Sequence, residues 1–389
     1  MKMIKLNQLC EINIGKTPSR AEISYWGIGE RWISIADLKE KYITSTKEQI
    51  TKLAIEQCNM KSIPKNTVIM SFKLTIGKVA ITGEDAYSNE AIANFPILDK
   101  EKLIPEYLYY ALQTVNFLGN TDRAVMGATL NKAKLNEVKI PWVNTSLQRK
   151  LVDILDKAQE LIAKRKEQIQ ACDELIKSQF IEMFGDPIKN EKKWETVKLE
   201  EISSVGSSKR VFVEELVDQG IPFYRGTEIG ALGAGEVIEP TLFITEEHYD
   251  KLKTNSGVPS IGDLLMPSIC PDGRIWCVNT DEPFYFKDGR VLWIHLENES
   301  ISSLYLRYML REKFARDYNS IASGTTFAEL KIFALKAIDV MLPPIELQNE
   351  FAQFVQQTDK LKFEMEQSLA ELENNFNSLM QRAFKGELF

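Results

Sequence analysis

Two textures alternate along the chain. Short runs rich in β-branched and aromatic residues, such as WISIADL (32–38) and TVIMSF (67–72), are separated by Gly, Pro and Asn turns. That is the pattern of strands half-buried on a sheet. Twice the texture changes to helical spacing. Leu151, Leu155, Ala158, Ile162, Arg165, Ile169, Cys172, Ile176, Gln179 and Met183 step by four and three, as the seam of a coiled coil does, with Arg165 and Gln179 as polar departures. Met365, Leu369, Leu372, Phe376, Leu379 and Ala383 keep the same alternation near the C-terminus, although this second seam is less clean at its start. Pro141 and the Pro343–Pro344 pair are expected to stop the element before each helix. Thr145 and Ser146, and the neighbourhood of Glu346 and Gln348, should open the two helices, and Gly185-Asp186-Pro187 should close the first. Each would run for about 36 residues, or roughly 54 Å, longer than one compact domain needs. A single amphipathic helix could simply pack on its own domain. Two in one chain predict an antiparallel pair serving as a spacer.

The second half of the chain repeats the first at a period of about 195 to 200 residues. Lys5-Leu6 matches Lys198-Leu199, and WISIADL falls opposite PFYRGTEI (222–229). IPKNTVIMSFKLTIGKVAI (63–81) matches VPSIGDLLMPSICPDGRIWCV (258–278), which pairs Met70 with Met266, Gly77 with Gly273 and Lys78 with Arg274. EYLYYAL (106–112) then matches LYLRYML (304–310), GATLNKAKL (127–135) matches GTTFAELKI (324–332), and KIPWVNTSLQRKL (139–151) matches VMLPPIELQNEF (340–351). The order of the blocks, more than any one of them, makes the duplication. The fold expected is α+β: two β-rich globular domains in tandem, joined and followed by long helices that pair as an antiparallel coiled coil. Its expected boundaries are 1–145 and 186–345 for the globular parts, and 146–185 and 346–389 for the helices.

Composition narrows the chemistry. A chain of 389 residues, 44% hydrophobic and 26% charged, can bury more than one core. Its start lacks the apolar core of a signal peptide, and no run is long enough to span a bilayer, so a cytoplasmic location without membrane contact is expected. Five scattered cysteines fit reduced thiols rather than a disulfide framework, and with two histidines and no CxxC they predict no metal site. The net charge of -7 argues against nucleic acid on a global count. Locally, the stretch Lys61 to Lys78 holds four lysines and no acid, so an acidic chain can still present a basic face.

Two similar globular units on a rigid spacer suit the reading of two half-sites on a duplex, because helical phase demands a set distance between readers. With GKTPS (15–19), the IP-x(3)-V/L-I/L-M block before G-K/R, and the G-A/T-T segments (127–129 and 324–326) before an I-P or L-P-P and a Gln-containing helix start, the chain resembles the specificity subunits of Type I restriction-modification systems over its whole length. The resemblance implies a non-catalytic subunit whose two target-recognition domains each read half of a bipartite double-stranded DNA site. It also implies that the helices dock two methyltransferase subunits, which methylate adenine N6 from S-adenosylmethionine, and that further restriction subunits, motor-nucleases, cleave. No cofactor of its own is expected. LPPIE (342–346) has Leu342 where a methyltransferase needs an amide or carboxylate to hold a flipped adenine. GALGAG (230–235) reads as a loop rather than a cofactor cradle, and Pro271-Asp272 with Glu329-x-Lys331 supply nuclease letters only from different repeat blocks.

Base edges call for Arg, Lys, Asn, Gln, Ser or Thr on outer loops. The DNA-contacting candidates in the first unit are Lys16, Thr17, Ser19, Arg20, Ser71, Lys73, Thr75, Lys78, Thr129, Asn131 and Lys132. In the second they are Ser207, Ser208, Lys209, Arg210, Tyr224, Arg225, Ser268, Arg274 and Thr325. Each also fits a solvated loop position. Lys78 and Arg274 carry the most weight, since both repeats place a cation after the shared glycine. Tyr25, Trp26, Trp32 and Trp276 could stack on bases but fit core positions better. A purely structural coiled-coil adaptor would explain the helices but not the cationic loops, and a stand-alone methyltransferase-endonuclease would need motifs that are absent. A reader of DNA for another defence system is the remaining alternative.

Overall fold

The computed structural model describes residues 1–117, 130–297, 300–324 and 328–388. Within them the chain forms two compact units, Met1–Lys166 with Gln367–Phe389, and Glu167–Glu366. The helices expected from the two seams span Thr145–Phe184 and Ile345–Lys385, 40 and 41 residues. The division falls inside both, so each unit owns half of each long helix together with one globular module.

In the first unit a five-stranded sheet runs in the order Asn13–Ile14, Ile92–Phe95, Val68–Ser71, Val79–Thr82, Tyr42–Ile43. A three-stranded sheet holds Glu48–Ile50, Trp26–Ile33 and Tyr87–Ser88, and Lys2–Lys5 pairs with Lys139–Trp142. The second unit repeats this with Ser203–Gly206, Val291–Leu296, Leu264–Pro267 and Trp276–Cys277, then Phe243–Ile244, Ile221–Tyr224 and Tyr285–Phe286, then Glu195–Lys198 against Asp339–Leu342. The registers confirm the repeat. Val68 lies opposite Ile81 as Leu264 lies opposite Cys277, which puts Met70 on Met266, Gly77 on Gly273 and Lys78 on Arg274. Both glycines have positive φ, +91° and +65°, where a side chain would be strained.

The repeat differs from the expected alignment in one block. The short helices Lys132–Glu137 and Ile332–Lys336, and the buried pairs Leu130/Leu330 and Leu135/Leu335, show that LNKAKL (130–135) corresponds to LKIFAL (330–335), three residues away from the Gly-Thr match. Matching Thr to Thr outweighed the apolar spacing that the core obeys. Pro141 does not stop an element either. It lies inside the ribbon strand Lys139–Trp142, opposite Met3, in a two-stranded pairing whose outer edge tolerates a missing N–H.

Paired buried polar contacts repeat the frame. Gln148 and Gln348 are fully buried at the helix starts. Gln148 accepts from Ile104 N (3.0 Å) and donates to Lys102 O (2.8 Å) and Val143 O (2.7 Å). Gln348 accepts from Ser302 N (2.9 Å) and donates to Ser300 O (3.1 Å) and Pro343 O (2.8 Å). Likewise the Tyr107 and Tyr305 hydroxyls donate to Pro141 O (2.9 Å) and Met341 O (3.0 Å).

The long helices run antiparallel inside each unit. In the first, Leu151 and Leu155 share a core with Met380 and Ala383, and farther along Lys166 meets Glu373 at 2.8 Å. In the second, Phe180 and Phe184 pack on Phe351 (5.5 Å each), and Asp173 meets Lys362 at 2.8 Å. The positions of the first seam are all at least partly buried, while Leu161, Lys164, Lys166 and Ala171 between them are exposed. The second seam extends back through Lys362, Thr358, Val355 and Phe351. Its polar members hid the heptad from hydropathy alone.

Candidate nucleic-acid interface

In the first unit, four loops converge at one end of the large sheet because backbone hydrogen bonds tie them. Lys16 N donates to Ser88 O (2.8 Å), Phe72 N to Ala91 O (2.9 Å), and Asn89 N to Ile33 O (3.0 Å). Gly15 passes so close to Ser88 O and Asn89 O that a Cβ would collide with backbone. The structure therefore gathers Lys16, Thr17 and Lys73 around the Ser88–Ala91 turn. The Thr17 hydroxyl donates to the Glu90 carboxylate and holds its pKa below the usual range. The Lys16 amine donates to Cys58 O (3.1 Å) and Asn59 O (3.3 Å), and Lys73 lies 5.5 Å from the Phe72 ring. Arg20 is ion-paired with Glu48 and stacks 3.8 Å over Trp26, whose indole N–H donates to Ser19 O (3.1 Å). Trp32 is core, Tyr25 and Trp26 half-buried.

Thr75 and Lys78 are exposed on the hairpin loop that Ser71 organises. Ser71 itself is fully buried, with its hydroxyl donating to Thr75 O and accepting from Lys78 N (3.1 Å), which removes it from the surface. Asn131 is spent as a helix cap, its Oδ1 accepting from Lys134 N (2.9 Å), and Lys132 is exposed beside it. Thr129 and Thr325 lie outside the described residues.

The second unit builds the matching loop cluster with different side chains. Ser207 donates to Val291 O (2.6 Å) and accepts from Gly289 N (2.9 Å); Ser208 donates to Phe286 O (2.6 Å). Lys209 N donates to the Tyr285 hydroxyl (3.0 Å), and Arg210 approaches Asp288 at 3.8 Å. Arg225, Thr227, Ser268, Lys287 and Arg290 line an open cavity of about 390 Å³. Glu329 braces its rim: it accepts from Ser268 Oγ (3.0 Å) and pairs with Arg290 (3.3 Å) and Lys331 (2.6 Å), the last contact lowering its pKa most. Ser268 is thus buried at the cavity wall, its hydroxyl bound to Glu329 as an internal strut. Burial alone would raise the Glu228 carboxyl, but hydrogen bonds from Arg225 and Thr227 outweigh it and hold it at about 2.

Thr227, Lys287, Arg290 and Lys331 were missed. For Lys287 and Arg290 the signal available was the turn FKDGR (286–290), an Asp-Gly pair flanked by cations between two strands. Conversely, Arg274 is not in this cluster. It pairs with Asp272 at 2.6 Å and lines a separate cavity of about 770 Å³ with Tyr224, Trp276, Arg307, Arg311 and Lys362, among the carboxylates of Asp173 and Asp359. Tyr224 packs there on Phe284 (5.5 Å). GALGAG is not a loop: its first four residues end the helix Gly226–Gly233, so the segment closes a helix where a phosphate cradle would open one. Among the described residues no group of three or more His, Cys, Asp or Glu could hold a metal ion, and no helix is long and apolar enough to cross a membrane. Burial pushes the Cys10 and Cys270 thiols up to about 12.

A duplicated α+β module on paired antiparallel helices, with one cation-bearing loop cluster per copy, defines the class. The family model for the type I restriction modification DNA specificity domain matches residues 1–171 and 191–374. The type I restriction enzyme MjaIX specificity subunit of Methanocaldococcus jannaschii is 26% identical across 99% of this chain and 92% of its own. A chain from a structural study of the assembly and conformational transition of the type I R-M system superposes with a TM-score of 0.65 at 17% identity, covering 100% of this chain and 98% of that one. The S subunit of a type I system from M. genitalium gives 0.52 at 15%, covering 98% and 96%. The chain belongs to the type I restriction-modification DNA specificity family, the specificity subunits of these systems.

Proposed function

We propose that the chain reads a bipartite double-stranded DNA target, one half-site per globular module, and carries no chemistry itself. In this reading residues 1–145 and 186–345 are the recognition domains, and 146–185 and 346–389 the spacer helices that dock two methyltransferase subunits. Methyl transfer to adenine and cleavage belong to the methyltransferase and restriction partners. The observation that carries it is the recurrence of a loop cluster at the same strand ends in both repeats, with Lys16, Thr17 and Lys73 in one and Lys209, Arg225, Lys287 and Arg290 in the other. Unrelated side chains on a shared backbone frame suit two different half-sites read from the same geometry. With a net charge of -7, the lone chain should bind DNA weakly, its partners supplying much of the phosphate contact.

The test is co-purification with the methyltransferase encoded beside it, followed by mapping of N6-methyladenine in host DNA with and without the chain. A two-part motif that appears only with the chain, and changes in one half when one globular module is exchanged, is the expected result. No complex and unchanged methylation would leave a coiled-coil adaptor as the better reading.

A further inference from the structure

One feature at the second loop cluster is apolar. Phe333 is 71% exposed and Ile332 37%, at the start of the short helix Ile332–Lys336. They border an open cavity of about 550 Å³ that also takes in Gly289, Glu329, Lys331 and Lys336. Gly289 belongs to the turn that carries Arg290, and Glu329 is the carboxylate bracing Arg290 and Lys331, so the cavity that Phe333 borders adjoins the cationic cluster rather than lying on a remote face. Phe333 is one of several large apolar side chains left in water, and what sets it apart is its place beside cations that attract phosphate.

The repeat sharpens the point. The corresponding positions in the first unit are Lys132 and Ala133, both exposed on the helix Lys132–Glu137. The backbone is the same, while the chemistry changes from cation and small residue to two hydrocarbon side chains. A position whose fold is kept and whose side-chain class is replaced is what two readers of different half-sites require. Of the groups a base pair presents in the major groove, the C5 methyl of thymine alone is recognised by apolar contact.

We propose that Phe333, supported by Ile332, is a specificity-determining residue that contacts a thymine methyl in the half-site read by the second unit. This rests on the DNA-reading function proposed above. The flanking Lys331 and Arg290 hold the backbone phosphates and so set the ring against the base edge.

The experiment uses the complex of the full chain with its methyltransferase and synthetic duplexes of the mapped target, with each thymine of the second unit's half-site replaced in turn by uracil, which lacks only the methyl. Wild-type complex should lose affinity at one position by roughly fourfold, the worth of one buried methyl group. Phe333→Ala should be indifferent to that replacement, Phe333→Leu should retain part of the discrimination, and the other half-site should be unaffected. Because Phe333 is exposed, the variant should unfold at the wild-type temperature. Equal uracil sensitivity in wild type and Phe333→Ala overturns the inference. So does a folded Phe333→Ala that no longer assembles with the methyltransferase, since the patch is then a protein contact. A wild-type complex that binds no bipartite target at all sinks the underlying reading, an outcome distinct from either.

Discussion

The two modules share a frame and part company at one sheet edge. In the first, Tyr42–Ile43 lies parallel on Val79–Thr82, with Ile81 N donating to Lys41 O (2.7 Å) and Gly83 N to Ile43 O (2.8 Å). Lys41 then pairs with Asp156 among the rings of Tyr42, Tyr109 and Tyr110, at 5.6, 5.5 and 4.8 Å. In the second, Trp276–Cys277 ends the sheet among the described residues, and the position of Tyr109 is taken by Arg307. The segment that follows the helix Gly226–Gly233 runs through solvent, Val237 being 99% exposed, and the 770 Å³ cavity lies beside Trp276. What is retained in both copies is buried and hydrogen-bonded, the Gln and Tyr struts above all. What has diverged is peripheral. An unpaired buried amide is heavily penalised, whereas an edge strand can be lost to water at small cost.

The shared struts should give the largest effects, and equal ones. Gln148→Ala and Gln348→Ala each remove three hydrogen bonds to backbone groups, and each is expected to lower stability by about 3 kcal/mol in urea unfolding of the whole chain. A clear inequality would mean the two frames are not equivalent. The divergent edge should behave unequally: Lys41→Met removes the cationic partner of Asp156 and should cost about 1 to 2 kcal/mol, while substitutions at the exposed Glu236 and Val237 should not exceed about 0.5 kcal/mol.

Acid offers a comparison of carboxylates. Glu228 is held at about 2 by Arg225 and Thr227 against its burial. A lowered native pKa contributes stability that is fully present above the unfolded value near 4.5 and is lost as pH falls toward 2. Glu228→Gln should therefore be destabilised at pH 7 by about 2 kcal/mol and should show less of the acid-induced loss between pH 4.5 and 2, read from unfolding temperature against pH. The smallest expected change is in binding: Lys287→Ala or Arg290→Ala should weaken DNA binding by the assembled complex across sequences and reduce the salt slope by about one each.

The seam Leu151 to Met183 was legible because coiled-coil burial acts at fixed spacing on one helix. The second seam was legible only from Met365, since the polar Thr358 and Lys362 occupy seam positions: the Thr358 hydroxyl is satisfied by Phe354 O in its own helix, and Lys362 by Asp173, which is distant in sequence. Among site residues, Lys16, Thr17, Lys73, Arg210 and Arg225 fell where loops meet. Ser71 and Ser268 carried the right chemistry but were consumed as internal struts, and Arg274 was right in register yet opens onto a different cavity.

The amino-acid sequence by itself determined the duplication, the tandem α+β order, the long helices and the pairing of Gly77-Lys78 with Gly273-Arg274. These follow from local periodicity and from backbone positions that demand glycine, which leave their mark residue by residue. Only the tertiary structure decided that each compact unit takes half of each helix, that Arg290 and Lys287 join Arg225 at one rim, and that Phe333 stands exposed beside the turn that carries Arg290. Those facts depend on which strand ends meet in space, and such meetings are set by pairing between segments tens of residues apart, where no local pattern records them.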